Sequence, residues 1–123
     1  KFKYLNHYFI NSYQYRYYGK NNIKQYLRKL VSSKIHISGR FHSICLSLIS
    51  FTPFLAQSSN TFKIQGLLND IGLRDRFIED HQISLKLIEK NSFFEKSEKD
   101  KITEYSFNAK IKIDNLFNKI ANL

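Results

Sequence analysis

The chain has 123 residues, 42% of them hydrophobic and 15% aromatic, which is enough for one domain with a single modest core. Its net charge is +10, but all ten acidic residues lie at or after Asp70, so residues 1–69 hold ten Lys and Arg side chains and no carboxylate. Cys45 is the only cysteine, and the longest apolar stretch, residues 44–56, is interrupted and short. This excludes an internal disulfide, a multi-cysteine zinc site and a membrane span, and the charge predicts a polyanionic partner.

Residues 1–20 are basic and rich in tyrosine, and Gly19 breaks the segment. Part of it suits a helical face and part alternates like a strand, so its local structure stays open. We expect a basic aromatic arm over residues 1–20, followed by one domain over residues 21–123. The chain starts at Lys1 and contains no Met. Because an initiator Met is not normally removed before Lys, we expect a processed or trimmed terminus, and cleavage of a targeting peptide is one explanation.

Residues 22–32 carry the clearest helical pattern, with apolar side chains at intervals of three and four residues. The charged side chains Lys24, Arg28 and Lys29 lie off that stripe and give the helix a basic outer face. From residue 34 the apolar period changes to two. We therefore predict a β-hairpin of strands 34–38 and 41–51, which ends at Pro53.

The second half of the chain mixes the two periods. We predict a short strand at Phe62 and Ile64, a helix over residues 67–80, a strand over 83–87 and a charged loop over 90–101. Residues 105–113 alternate most cleanly and predict a strand, with a helix starting at Asp114. A long helix with its apolar seam at Ala109, Ile113, Leu116, Ile120 and Leu123 competes for the same residues. The fold predicted is α+β: a small antiparallel sheet with two or three helices.

Two short segments resemble RNA-binding proteins. Residues 19–38 distantly resemble part of a KH module, in which a basic loop containing glycine clamps backbone phosphates at a helix N-terminus. The second glycine of the usual loop is missing, and Asn22 stands nearby. Residues 35–40 (IHISGR) resemble a fragment of small-subunit ribosomal protein S3 from bacteria and organelles. Both resemblances imply contact with RNA.

Residues 74–81 (RDRFIEDH) resemble the Arg-Asn/Asp-x-x-x-x-x-His signature of HEPN ribonucleases. The resemblance implies an all-α fold, with Arg74 and His81 flanking an RNA phosphate and the histidine acting as general acid or base. In many members of that family the histidine comes earlier, at the position of Glu79. The predicted strands also disagree with an all-α protein.

Together these features predict a non-catalytic RNA-binding subunit of a large ribonucleoprotein, most simply a mitochondrial-type ribosomal protein located in an organelle matrix. The excess of Lys, Asn, Ile, Phe and Tyr indicates an A/T-biased genome. We expect rRNA and neighbouring protein subunits as partners, and no cofactor or metal. Two alternatives are an accessory subunit of an organellar respiratory membrane complex and a HEPN-like ribonuclease. The predicted RNA-binding residues combine cations with aromatic rings: Lys3, Tyr13, Tyr15, Arg16, Tyr17, Tyr18, Lys20, Lys24, Arg28, Lys29, Lys34 and Arg40.

Overall fold

A parallel β-sheet lies at the centre of the protein, with its strands in the order β1-β2-β3-β4. The computed structural model describes residues 9–10, 23–58 and 62–123. The strands are β1 (Phe9–Ile10), β2 (His36–Ser38), β3 (Phe54–Gln57) and β4 (Phe77–Ile78). His36 of the second strand is in register with Phe9 on one side and Phe54 on the other. Ala56 is in register with Phe77.

Helices connect the strands, as parallel pairing requires. In chain order they are α1 (Ile23–Ser32), α2 (Phe41–Ile49), α3 (Lys63–Ile71), α4 (Leu85–Lys90) and α5 (Lys96–Ala121). Short 3₁₀ turns at Arg74–Arg76 and Asp80–Gln82 flank β4. None of the helices among these described residues is long and apolar enough to cross a membrane.

The two faces of the sheet are covered by different helices. Phe54, Ala56 and Phe77 belong to a buried cluster with apolar residues of α2, α3 and α5. Residues that alternate with them, such as Leu55 and Ile78, form a second cluster with α4. A third, smaller cluster joins α1 to α2. Strands β2, β3 and β4 are therefore buried on both faces, which is typical of parallel sheets.

The predicted antiparallel sheet is wrong because its hairpin does not exist. Residues 36–38 are a strand, but residues 41–49 form helix α2 and not a second strand. Ser43 and Ser47 are buried beside Ile44 and Leu48 on one helical face. Serine is usually exposed, so serines that alternate with apolar residues resemble the solvent side of a strand. Here the two serines are buried, and the pattern predicts the wrong structure.

Helix α5 overturns the strand predicted at residues 105–113, and the competing long-helix pattern is the one the chain adopts. The charged segment 90–101 is not a loop throughout, because α5 starts within it at a capping box formed by Glu95 and Glu98. The predicted strand at 83–87 overlaps α4, and the strand at Phe62 and Ile64 is replaced by the start of α3.

The helices predicted at residues 22–32 and 67–80 agree better with the structure. The helix at residues 22–32 is confirmed as α1. The helix predicted at 67–80 overlaps α3, which ends earlier because Gly72 adopts a left-handed conformation with φ of 80°. Most of the predicted arm lies outside the described residues, although Phe9 and Ile10 pair with β2. The division into an arm and a domain stays a prediction.

Candidate functional site at the carboxyl edge of the sheet

The carboxyl ends of β2 and β3 lie side by side, since the two strands are parallel and in register from His36 and Phe54 to Ser38 and Ala56. In open parallel sheets, ligands bind outside the carboxyl ends of the strands, at the point where the strand order reverses. The order β1-β2-β3-β4 contains no reversal, so the candidate site depends here on the loops that follow these two strands. In this protein those loops begin with Gly39 after β2 and Ser58 after β3. We therefore take these two loops as the candidate functional site.

The loop between β2 and α2 is tight and lies against the end of β3. The hydroxyl of Ser38 accepts a hydrogen bond from the backbone N–H of Arg40 at 3.1 Å. A Cβ atom at position 39 would lie 3.0 Å from the carbonyl oxygen of Ser58. Glycine at this position therefore lets the two loops approach each other more closely than a residue with a side chain would allow.

This loop leads directly into the N-terminus of α2, where the local field favours anions. Arg40 is the N-cap residue, and its carbonyl accepts the first helical hydrogen bond from Ile44 at 3.1 Å. The first turn contains no acidic residue, and the backbone N–H groups of a first helical turn point away from the helix. Arg40 and His42 are both exposed here, and the His42 ring meets Phe41 edge-on at 5.8 Å between centroids.

A buried polar network holds α2 against β2 behind this edge. Nδ1 of His36 lies 2.6 Å from the Ser47 hydroxyl, which donates its own proton to the carbonyl of Ser43 at 3.1 Å. His36 is therefore the donor in the first contact. The hydroxyl of Tyr26 on α1 donates to the Ser43 hydroxyl at 3.1 Å. Burial lowers the pKa of His36 to about 4, so the imidazole is neutral at physiological pH.

The second buried polar centre lies at the amino edge of the sheet and not at the candidate site. Arg76 donates hydrogen bonds to the Phe54 carbonyl at 2.9 Å and to the Phe93 carbonyl at 2.6 Å. Its guanidinium also pairs with Glu98 at 2.6 Å. All of these contacts are internal, so Arg76 anchors structure and is not offered to a ligand.

The structure brings one of the predicted RNA-binding residues, Arg40, to the candidate site. Lys24, Arg28 and Lys29 are exposed on α1, and Lys34 is exposed where the chain enters β2, at the opposite end of that strand from Arg40. The remaining seven lie outside the described residues: Lys3, Tyr13, Tyr15, Arg16, Tyr17, Tyr18 and Lys20.

The ribonuclease-like pair is not assembled. Arg74 lies in the turn before β4 and His81 in the turn after it, and no hydrogen bond or ring contact joins the two side chains among the described residues. Arg74 instead lies over the ring of Phe77, 4.7 Å from its centroid. The parallel sheet also rules out the all-α fold that this resemblance implies.

Sequence reasoning missed His42, Gly39 and Ser58 as site residues. The available signal was the Ser38-Gly39-Arg40 turn, which was interpreted as the tip of a hairpin. If residues 41–49 are assigned to a helix, the same turn becomes a strand-to-helix loop, which is a common place for an anion. No group of three or more His, Cys, Asp or Glu side chains suited to a metal occurs in the part of the chain that the structure describes.

About half of the chain matches the model of a protein family. The model of the polysaccharide pyruvyl transferase family matches residues 2–60, which is 59 of the 123 residues. The matched region contains β1, α1, β2, α2 and β3, and therefore the loop with Arg40 and His42. No curated protein and no solved structure matches the chain.

This match overturns the predicted function. A likeness to transferases that act on polysaccharides indicates a carbohydrate-modifying enzyme, whereas we predicted a non-catalytic ribosomal protein, with a respiratory subunit or a ribonuclease as alternatives. The charge pattern misled because an excess of cations indicates affinity for anions without specifying which anion. The predicted organellar location and the predicted partners are tested by neither the structure nor the comparisons, and they stay predictions.

Proposed function

We propose that this chain forms part of a carbohydrate-modifying transferase that moves a pyruvyl group to a saccharide. The proposal rests on one observation: the residues that match the family contain the loop between β2 and α2 at the carboxyl edge of the sheet. The matched residues end just after β3, so they include the whole loop between β2 and α2 and the beginning of the loop after β3. The proposal assigns the loop from Ser38 to His42 to the pyruvyl donor.

The chemistry of a pyruvyl group suits this loop. The group carries a carboxylate, which a guanidinium binds through two parallel hydrogen bonds. Arg40 is exposed at the N-terminus of α2, where the helix dipole also favours a negative charge. We therefore assign the carboxylate of the donor to Arg40 and to the first-turn amides of α2.

His42 supplies the second functional group. It is exposed two residues after Arg40, on the first turn of the same helix. With phosphoenolpyruvate as the donor, a saccharide oxygen bonds to the carbon that carries the carboxylate while the bond from that carbon to the phosphate oxygen breaks, and phosphate leaves with the bonding electrons. The proton of the saccharide hydroxyl must also leave, and histidine is the side chain best suited to accept a proton near neutral pH. We assign proton transfer to His42 and donor binding to Arg40.

The buried network explains how these two groups keep their positions. His36 and Tyr26 contact serines of α2, so the helix that carries His42 is fixed against both β2 and α1. A neutral imidazole makes these contacts without placing a charge beneath an anion site. Fixed first-turn geometry is what a positioned acid–base group requires.

Binding of phosphoenolpyruvate, an activated form of the pyruvyl group, tests the proposal. We expect nuclear magnetic resonance shifts confined to the loop around Gly39 and to the first turn of α2. Arg40→Ala should abolish them, and Lys34→Ala, which removes a cation at the opposite end of β2, should not. His42→Gln should retain binding and lose transfer to a saccharide. Equal binding by the Arg40 and Lys34 variants would reject the assignment.

A further inference from the structure

Helix α1 carries a basic outer face that donor binding and proton transfer do not use. Lys24 and Arg28 are exposed and lie one helical turn apart, on the side of the helix opposite the buried Tyr26. Residues 1–69 contain no Asp or Glu, and neither of the two side chains forms a salt bridge within the part of the chain that the structure describes. Two like charges at this spacing repel each other, so a bound anion would stabilise them.

This face is held close to the candidate site. The hydroxyl of Tyr26 donates to Ser43, the residue that follows His42, at 3.1 Å. Tyr26 and Leu30 also pack with Leu46 of α2. The middle of α1 therefore lies beside the first turn of α2, and its basic face points away from α2. Because a helix with its side chains is about 10–12 Å across, only an extended ligand can reach both this face and His42.

The side chains of α1 favour an acidic saccharide over a nucleic acid. Tyr26 is the only aromatic residue of the helix and is 7% exposed, so α1 offers no ring on which a base could stack. Its exposed residues include Gln25, next to Lys24, and the amide of glutamine both donates and accepts hydrogen bonds. Cations beside an amide suit a ligand that carries carboxylates and hydroxyl groups together.

We propose that the polysaccharide acceptor is acidic, and that Lys24 and Arg28 bind carboxylates along its chain while one sugar unit lies at His42. This inference rests on the proposed function, because it names the class of acceptor for the same site. The region that matches the transferase family, residues 2–60, carries eight Lys and Arg side chains and no carboxylate. An acidic chain is attracted by this charge over a Debye length of about 8 Å, whereas a neutral chain gains nothing from it.

Binding of saccharide chains to the full-length protein without the donor tests the preference. The probes are an oligogalacturonate, which has a carboxylate on every sugar, and an uncharged galactan oligomer of the same length. We expect the oligogalacturonate to bind about tenfold more tightly at low salt, and the difference to shrink as salt screens the charges. Equal affinity for the two probes would overturn the proposal.

Charge reversal locates the binding surface. Lys24→Glu combined with Arg28→Glu should weaken oligogalacturonate binding by about tenfold. Lys86→Glu combined with Lys90→Glu is the matched control, since it makes the same change at the same spacing on exposed positions of α4. That helix belongs to residues 70–123, whose ten cations and ten carboxylates balance, so the control should weaken binding far less. Melting temperatures check that both variants fold, and equal losses by the two variants would reject the assignment to α1.

Two further comparisons separate this inference from its alternatives. Poly-uridine with the same number of charges should bind more weakly than the oligogalacturonate, and tighter binding would overturn the proposal in favour of a nucleic acid. Donor binding is measured separately, by the resonance shifts around Gly39. Donor binding without a preference for the acidic chain rejects this inference alone. A preference for the acidic chain without donor binding supports the basic face as a saccharide site and rejects the proposed pyruvyl transfer.

Discussion

Arg76 and Glu98 form a two-pronged pair: Nε donates to one carboxylate oxygen at 2.6 Å and Nη2 to the other at 2.9 Å. Glu98 also accepts the backbone N–H of Glu95, so one side chain closes the start of α5 and holds the arginine. The guanidinium lies 4.3 Å from the centroid of the Phe94 ring. Its further bond to the carbonyl of Phe54 ties the start of α5 to the sheet.

We predict that Glu98→Gln lowers the free energy of unfolding by about 1.5–3 kcal/mol, the usual range for a hydrogen bond to a charged group. The variant keeps the size of the side chain but removes the charge that faces Arg76. Glu104→Gln, at an exposed position on the same helix, is the control and should leave stability unchanged. Urea denaturation of the three proteins measures the difference, and equal midpoints would show that the pair contributes little.

The same pair predicts a pH dependence. Burial alone would raise the pKa of Glu98, but hydrogen bonds from Arg76 and from the backbone of Glu95 outweigh it and lower the pKa. The stabilisation is therefore complete above the ordinary carboxyl pKa of about 4.3 and is lost as pH falls through the lower pKa of the folded state. Glu98→Gln should be least destabilising, relative to the unchanged chain, in the most acidic solutions.

His36 predicts a separate loss of stability in weak acid. Its pKa falls from 6.5 to about 4 in the folded protein, because burial disfavours the charged ring. Between these two values the unfolded chain binds a proton that the folded chain does not, so stability decreases as pH falls from about 6.5 to 4. A shift of this size corresponds to about 3 kcal/mol.

Thermal melting of variants at pH 7 and pH 4.5 separates this effect from other titrations. His36→Leu should lose that part of the pH dependence, whereas His42→Gln, which changes an exposed histidine, should keep it. If the His36 variant loses as much stability between the two pH values as the unchanged chain, another group is responsible.

The fold could be predicted from the sequence only where the apolar period was unambiguous. Helix α1 followed from its pattern, because its polar side is fully solvated. Helix α2 did not, since Ser43 and Ser47 are buried and satisfy their hydroxyls within the protein. In α5 the alternating residues of 105–113 also fit a helix, and the apolar side chains that alternate there are mostly exposed.

The site was harder to predict than the helices. Arg40 was expected to bind an anion because of charge alone, but its neighbours depend on topology. Ser58 reaches Gly39 only because β2 and β3 are parallel neighbours, and a hairpin would have placed other residues there. The structural role of Arg76 could not be predicted from the sequence. Its hydrogen-bond partners are 15 to 22 residues away, and nothing in the local sequence identifies them.

Packing of α5 is tested by two isoleucines of the same helix. Ile102 is 1% exposed within the core cluster, so Ile102→Ala should lower the free energy of unfolding by about 2–5 kcal/mol. Ile111→Ala, on the exposed half, should cost far less. Chemical denaturation measures both, and equal effects would mean that the two halves of α5 are packed alike.

Two glycines provide a matched pair for the candidate site. A methyl group at Gly66 meets nothing within 4 Å on the exposed side of α3, so Gly66→Ala should stabilise the protein by about 0.5–1 kcal/mol through its helix propensity.

Gly39→Ala adds the same methyl group 3.0 Å from the backbone oxygen of Ser58. Because backbone on both sides of that contact must shift, we expect Gly39→Ala to lower stability and to weaken phosphoenolpyruvate binding, while Gly66→Ala leaves binding unchanged. Melting temperatures and binding titrations of both variants test this, and unaltered donor binding by the Gly39 variant would show that the spacing of the two loops does not shape the site.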